Sequence, residues 1–200
     1  MTNFTTTEQS SKDKSYFPLA GGASDGWSTD DEATATCFCG AVQMVFVSLI
    51  HSLFLDLSLT RVCSQPTHGP GLVETFVCHC ADCRKITASM FASNFTIADK
   101  YIHYVRGREN LKQFGQNKTI ASGNRMTNHF CSTCGTLMFR VGEQFPGMSI
   151  MRIGTVDDFS LHETKLRPGR EQFVECRVDW LGHGGIEGMK QYEGMPGSKL

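Results

Sequence analysis

Apolar and polar residues alternate over short runs along this chain, and Gly, Pro, Asn and Asp separate the runs. Residues 39–46, CGAVQMVF, alternate imperfectly and predict a strand. The same reading predicts strands at 90–96, 101–106, 111–114, 125–131, 136–141, 148–154 and 172–178. Their spacing and turn residues predict a mainly β fold of antiparallel sheets with little helix. One helical turn is predicted at 82–88.

The pattern also sets boundaries. Residues 1–32 are rich in Thr, Ser, Asp and Lys without periodicity, and read as a disordered polar tail. The ordered domain is expected over 33–181, followed by an irregular Gly- and Met-rich extension at 182–200. Residues 47–65, VSLIHSLFLDLSLTRVCSQ, depart from the pattern, because their apolar residues cover every face. The apolar stretch is too short to span a bilayer, which takes about 20 residues. Two readings stand for it: a translated intron, or a genuine loop insertion.

Composition narrows the function. Hydrophobic residues make up 40% of the 200-residue chain, enough for a real core, and the formal net charge is −1. No basic surplus points to nucleic acid, and no polybasic run points to an anionic membrane. The N-terminus lacks the apolar core of a signal peptide, so a reducing, cytoplasmic location is expected.

Seven of the nine cysteines fall in three clusters: Cys37-x-Cys39, Cys78-x-Cys80-x-x-Cys83 and Cys131-x-x-Cys134. The odd total and the tight spacing favour zinc over disulfides. A closed all-sulfur site needs four thiolates, which the two outer pairs supply together. Gly40 and Gly135 each follow a cysteine, as tight zinc knuckles require. The middle cluster then offers three ligands and an open position, the pattern of a catalytic metal. Two zinc ions per chain are expected. Three thiolates give the metal weak Lewis acidity, so the site suits binding an incoming thiol as thiolate better than hydrolysis. The competing reading makes the middle cluster structural, with His79, His129 or a backbone-near residue as fourth ligand; a different sharing of thiolates between two metals also stays open.

Arg84 and Lys85 follow the middle cluster and are candidate ligands for the carboxylates of an anionic thiol, or else part of a solvated positive face. His79 is expected to orient its neighbours rather than ligate. Cys63 and Cys176 read as spare cysteines, and Phe173 and Trp180 as core or edge packing.

The segments CFCGAV at 37–42, CHCADCRKIT at 78–87 and FCSTCGT at 130–136 resemble the glutathione-dependent formaldehyde-activating enzyme family, which includes centromere protein V. GMSIMRIGTVDD at 147–158 is similar to that family's late strand and turn, and RVDW at 177–180 to the ending of its fungal members. The resemblance spans roughly 34–195. It implies a β-tent fold, a structural zinc on Cys37, Cys39, Cys131 and Cys134, and a catalytic zinc on Cys78, Cys80 and Cys83. It implies carbon–sulfur lyase chemistry: reversible addition of glutathione to a small carbonyl such as formaldehyde. The chain departs from the family in the long gap between its first two motifs, which residues 47–65 account for.

The expected function is therefore a zinc-dependent carbon–sulfur lyase acting on glutathione or a glutathione conjugate. The rival is a non-catalytic, zinc-stabilised interaction module of the centromere protein V type.

Overall fold

Two hairpin turns organise the architecture, and each carries a pair of cysteines. A computed structural model of the chain describes residues 14–47, 71–182 and 184–196. Strand β1 (Glu32–Thr36) pairs antiparallel with β2 (Gln43–Val47), and Cys37 and Cys39 lie in the turn between them. That turn closes through Cys37 N–H to Val42 O at 3.0 Å, and Gly40 N–H to Cys37 O at 2.9 Å, with Gly40 at φ 79°. A side chain with a Cβ rarely adopts that φ, which accounts for the glycine. The predicted strand at 39–46 starts only at Gln43 because its first residues form this turn.

The remaining elements follow in chain order: β3 (Leu72–Cys78), α1 (Ala81–Thr87), β4 (Ala92–Ala98), β5 (Ile102–Arg106), β6 (Leu111–Gln116), β7 (Met126–Cys131), β8 (Leu137–Gly142), β9 (Met148–Arg152), α2 (Ser160–Glu163), β10 (Arg170–Gln172) and β11 (Lys190–Tyr192). The β7–β8 hairpin repeats the first turn: Cys131 and Cys134 flank it, Gly135 N–H reaches Cys131 O at 2.8 Å, and Gly135 has φ 75°.

Among the described residues the strands form a three-stranded sheet, β1-β2-β5, and an eight-stranded sheet, β11-β10-β3-β4-β9-β8-β7-β6. Pairing is antiparallel except around β10, which runs parallel to both β3 and β11. The fold class is thus mainly β with two short α-helices, as the pattern predicts.

The main core lies where the two sheets face each other. Met44 and Phe46 from the small sheet pack with Phe95, Ile97, Met138 and Met151 from the large one, all buried. The Phe46 and Phe95 rings are 4.9 Å apart. Successive residues of a strand point to opposite faces. The register aligns Phe95 with Met151, and Met151 with Phe139, on the core face. It aligns Phe76 with Asn94, and Asn94 with Arg152, on the other. That second face carries a smaller cluster of Phe76, Cys78, Cys83 and Ala92, against which Cys80, Ile150 and Phe173 pack.

Three further differences from the pattern reading stand out. The strand predicted at 172–178 ends at Gln172, because Phe173 takes a left-handed φ of 57° and the next residues form a 3-10 turn. Trp180 stands 72% exposed rather than packed. Strand β3, not predicted, is held by β4 on one side and by distant β10 on the other.

Residues 16–28 belong to the stretch read as a polar tail. They bond to the domain through Tyr16 N–H to Asp158, Gly22 N–H to Phe38 O and Asp25 to Arg106. These are polar, non-periodic contacts. The segment 47–65 lies outside the described residues apart from Val47, and Cys63 lies with it.

Candidate metal centres

The two hairpin turns meet. Cys37, Cys39, Cys131 and Cys134 bring their sulfurs within 4.8 Å of one another. Cys37 Sγ and Cys39 Sγ are 3.6 Å apart, and Cys39 Sγ and Cys131 Sγ are 3.8 Å apart. A tetrahedron with Zn–S arms of 2.3 Å has edges of about 3.8 Å, so the set fits zinc. Val42 N–H donates to Cys37 Sγ at 3.2 Å, and Thr136 Oγ1 lies 3.2 Å from Cys134 Sγ. Burial leads in pushing the Cys37 thiol up to about 12. Burial also raises Cys134, but hydrogen bonds from the hydroxyl and N–H of Thr136, together with those from Cys39, outweigh it and bring that thiol to about 6.

The second group is Cys78, Cys80 and Cys83, again with sulfurs within 4.8 Å of each other. Cys78 ends β3, Cys80 caps α1, and Cys83 lies one turn into the helix. The cap accepts Cys83 N–H at its own sulfur, 3.4 Å away. Cys78 and Cys83 are buried and Cys80 is half-buried, so the group is reached from the Cys80 side. No histidine or carboxylate among the described residues joins either group. His129 instead stacks on Phe139 at 4.2 Å. Three converging sulfurs without a fourth protein donor match an open zinc site.

His79 turns away from the sulfurs, as its place between two cysteines predicts. Its Nε2 is 2.8 Å from Glu171 Oε2, with both side chains buried. Glu171 also accepts from Arg177 Nη1 at 2.9 Å and from Ile186 N–H at 2.5 Å. His79 N–H donates to Gln172 O at 3.1 Å. Strand β10 thereby fixes the turn that aims Cys78 and Cys80.

The sulfurs of this group differ electrically. Hydrogen bonds from Cys78 and Cys80 lead in holding Cys83 down to about 3, with Arg152 and Arg140 adding to the effect against burial. The Cys78 thiol is pushed up, first by its bonds to Cys80 and Cys83 and then by burial. The three thiols thus resist becoming three thiolates unless a cation joins them.

Sequence reasoning missed Arg140 and Arg152. Both are buried, and Arg140 Nη1 lies 3.8 Å from Cys83 Sγ. Arg152 Nη1 bonds Asn94 Oδ1. The available signal was an arginine inside each of two apolar strands, LMFRVG and MSIMR.

Arg84 and Lys85 lie on α1. The Arg84 guanidinium bonds Cys176 O at 3.1 Å and Met90 Sδ at 3.7 Å, while Lys85 is exposed. Cys176 is an exposed free thiol.

An open cleft of about 630 Å³ runs between the Cys134 knuckle and the end of α1. Phe38, Ile86, Phe91, Cys134, Leu137 and Arg152 are among its walls. Its link to the three-cysteine group is through Arg152 and Ala92, since none of the three cysteines lines it.

The profile of the family described as "glutathione-dependent formaldehyde-activating enzyme" matches residues 60–176. That span holds Cys78, Cys80, Cys83, Cys131 and Cys134; Cys37 and Cys39 precede it. No curated protein gives a significant match. A Rhodobacter sphaeroides protein of known crystal structure aligns at 21% identity and a TM-score of 0.40, covering 61% of this chain and 85% of that one.

Proposed function

The chain belongs to the glutathione-dependent formaldehyde-activating enzyme family, and on that footing we propose that it is a carbon–sulfur lyase that joins a thiol, glutathione or a close conjugate, to a small carbonyl such as formaldehyde. The observation that carries this reading is the uneven sulfur count: one group of four cysteines and one of three. The group of four closes on itself and serves the fold. The group of three leaves a coordination position for the substrate.

Cys78, Cys80 and Cys83 would hold the catalytic zinc, and Cys37, Cys39, Cys131 and Cys134 the structural one. When bound at three cysteines, zinc supplies the positive charge that keeps a substrate sulfur ionised near neutral pH. In the forward direction a bond forms between the substrate sulfur and the carbonyl carbon. The carbonyl π pair moves to oxygen, and the proton lost by the thiol ends there. The reverse reaction breaks the same carbon–sulfur bond. His79, through Glu171, keeps Cys78 and Cys80 aimed at one point. Arg84 and Lys85 on the outer face of α1 stand as candidate partners for the substrate's carboxylates. The free cysteines are consistent with a reducing, cytoplasmic setting.

The test is exchange between ¹³C-formaldehyde and S-hydroxymethylglutathione, followed by NMR. Faster exchange with wild type than with Cys80→Ser supports the reading. Equal exchange, together with one zinc per chain and no response to thiols, would favour a non-catalytic interaction module.

A further inference from the structure

The three-cysteine group is flanked by two buried arginines. Arg140 and Arg152 approach from β8 and β9, on the sheet face opposite the main core. They are 7% and 6% exposed. Arg140 Nε and Arg152 Nε and Nη2 are buried and have no hydrogen-bond partner among the described residues. Buried donors without partners are costly, so they mark a place where another group sits. The acidic group facing them is Asp82, 3.9 Å from Arg140 Nη2. That carboxylate is already engaged, accepting from Thr119 Oγ1 at 2.7 Å and Gln116 Nε2 at 3.2 Å.

The charge balance points the same way. Three thiolates around a divalent ion leave one negative charge, and a fourth thiolate leaves two. Asp82 offsets one of the two buried arginines, and the net positive charge that remains suits a centre that is anionic rather than neutral. The four-cysteine group offers an internal contrast. Its sulfurs take bonds from the neutral Val42 N–H and Thr136 hydroxyl. Arg106, which acts on Cys37 at longer range, gives its hydrogen bonds to Asp25, Gln43 and Gly40 O.

We propose that Arg140 and Arg152 form an electrostatic seat that makes the open position of the three-cysteine centre select an anionic sulfur ligand over a neutral one. This rests on the thiol-binding reading above and adds the residues that set its selectivity. Both arginines act through Cys83 and the charge of the centre, so they are positioning residues rather than groups that touch the reacting carbon. Partners behind the primary ligands commonly change affinity by about 10- to 100-fold.

The experiment replaces zinc with cobalt(II) and follows ligand uptake by visible absorption, in wild type, Arg140→Met, Arg152→Met and the lysine variants at both positions. The probes are 2-mercaptoethanol, a thiol without carboxylates, glutathione, and imidazole, a neutral ligand; cobalt per chain is measured in every sample. The expected result is 2-mercaptoethanol binding about tenfold weaker or more in the methionine variants, imidazole binding within about twofold of wild type, and partial recovery with lysine. If a methionine variant fails to hold cobalt, the lysine variant decides: retained charge must retain thiol selectivity. Equal weakening of both probes would overturn the proposal, because the arginines would then only support the scaffold. A wild type that takes 2-mercaptoethanol but not glutathione would leave this inference standing and overturn the proposed substrate instead.

Discussion

Cys39 Sγ lies 3.8 Å from Cys131 Sγ although 92 positions separate them in the chain. The contact joins the β1–β2 hairpin of the small sheet to the β7–β8 hairpin of the large one. A metal there ties together the two layers that enclose the core, so its binding energy becomes folding energy.

Cys131→Ser is therefore expected to lower the melting temperature sharply, by a loss of at least several kcal/mol, and to remove a zinc ion. Thermal unfolding with and without a strong chelator checks it. Wild type treated with chelator should approach the variant, and an unshifted melting curve for the variant would remove the structural role.

The three-cysteine group makes the opposite prediction. Cys80 is half-buried at a helix cap and joins the smaller cluster only at its edge. Cys80→Ser should keep the fold and lose activity by more than about a hundredfold, the effect of several kcal/mol of lost charge stabilisation. Circular dichroism alongside the exchange assay separates the two; unfolding of this variant would make the cluster structural.

Glu171 is the hub behind the Cys78–Cys80 turn, holding His79, Arg177 and Ile186 N–H together. Glu171→Gln breaks a buried ion pair and is expected to cost about 3 kcal/mol. It should also weaken metal retention at the three-cysteine group while sparing the group of four. Zinc content and denaturant unfolding would show this, and wild-type values of both would mean that the turn holds itself.

Asp158 gives the fold a defined response to acid. It is 1% exposed, and its Oδ1 accepts from Tyr16 N–H, Ser160 N–H and Ser160 Oγ. Burial raises its pKa, but the bonds from Ser160, Ser28 and Tyr16 outweigh that and hold it below 3.8. The folded chain then binds this proton less readily than the unfolded chain. The stabilisation is present above 3.8 and is lost as pH falls through the folded value. Asp157 opposes it: burial leads in raising that carboxyl, so its ionisation disfavours the fold as pH rises through the raised value. Asp158→Ala should cost about 2 kcal/mol at neutral pH, and the gap from wild type should narrow in acid. Urea unfolding across pH tests this, and a gap that widens in acid would contradict the sign.

The cysteine groups were legible because side chains that could hold one metal ion lie at short, regular spacing. A two-residue knuckle followed by glycine is readable at Cys39-Gly40 and Cys134-Gly135 without knowing the fold. The short helix after Cys80 was legible for the same reason. Strand β3 was not, since the alternation of LVETFVC is broken and its order comes from pairing, along most of its length with β4 and at its end with β10, nearly a hundred positions away. The turn at Phe173 was hidden too, because a left-handed φ at a non-glycine residue leaves no mark in composition. Arg140 and Arg152 sit among apolar neighbours, where a charged residue reads as the solvent side of a strand. Only the register shows them on the buried face beside Cys83.

The uneven cysteine groups lead to the expectation of two metal centres of unequal kind in one chain. Zinc per chain, measured by elemental analysis on wild type and Cys80→Ser purified without chelator, tests it most directly. About two zinc ions are expected in wild type and about one in the folded variant. One zinc ion in both would contradict it, because the three-cysteine group would then hold no metal of its own.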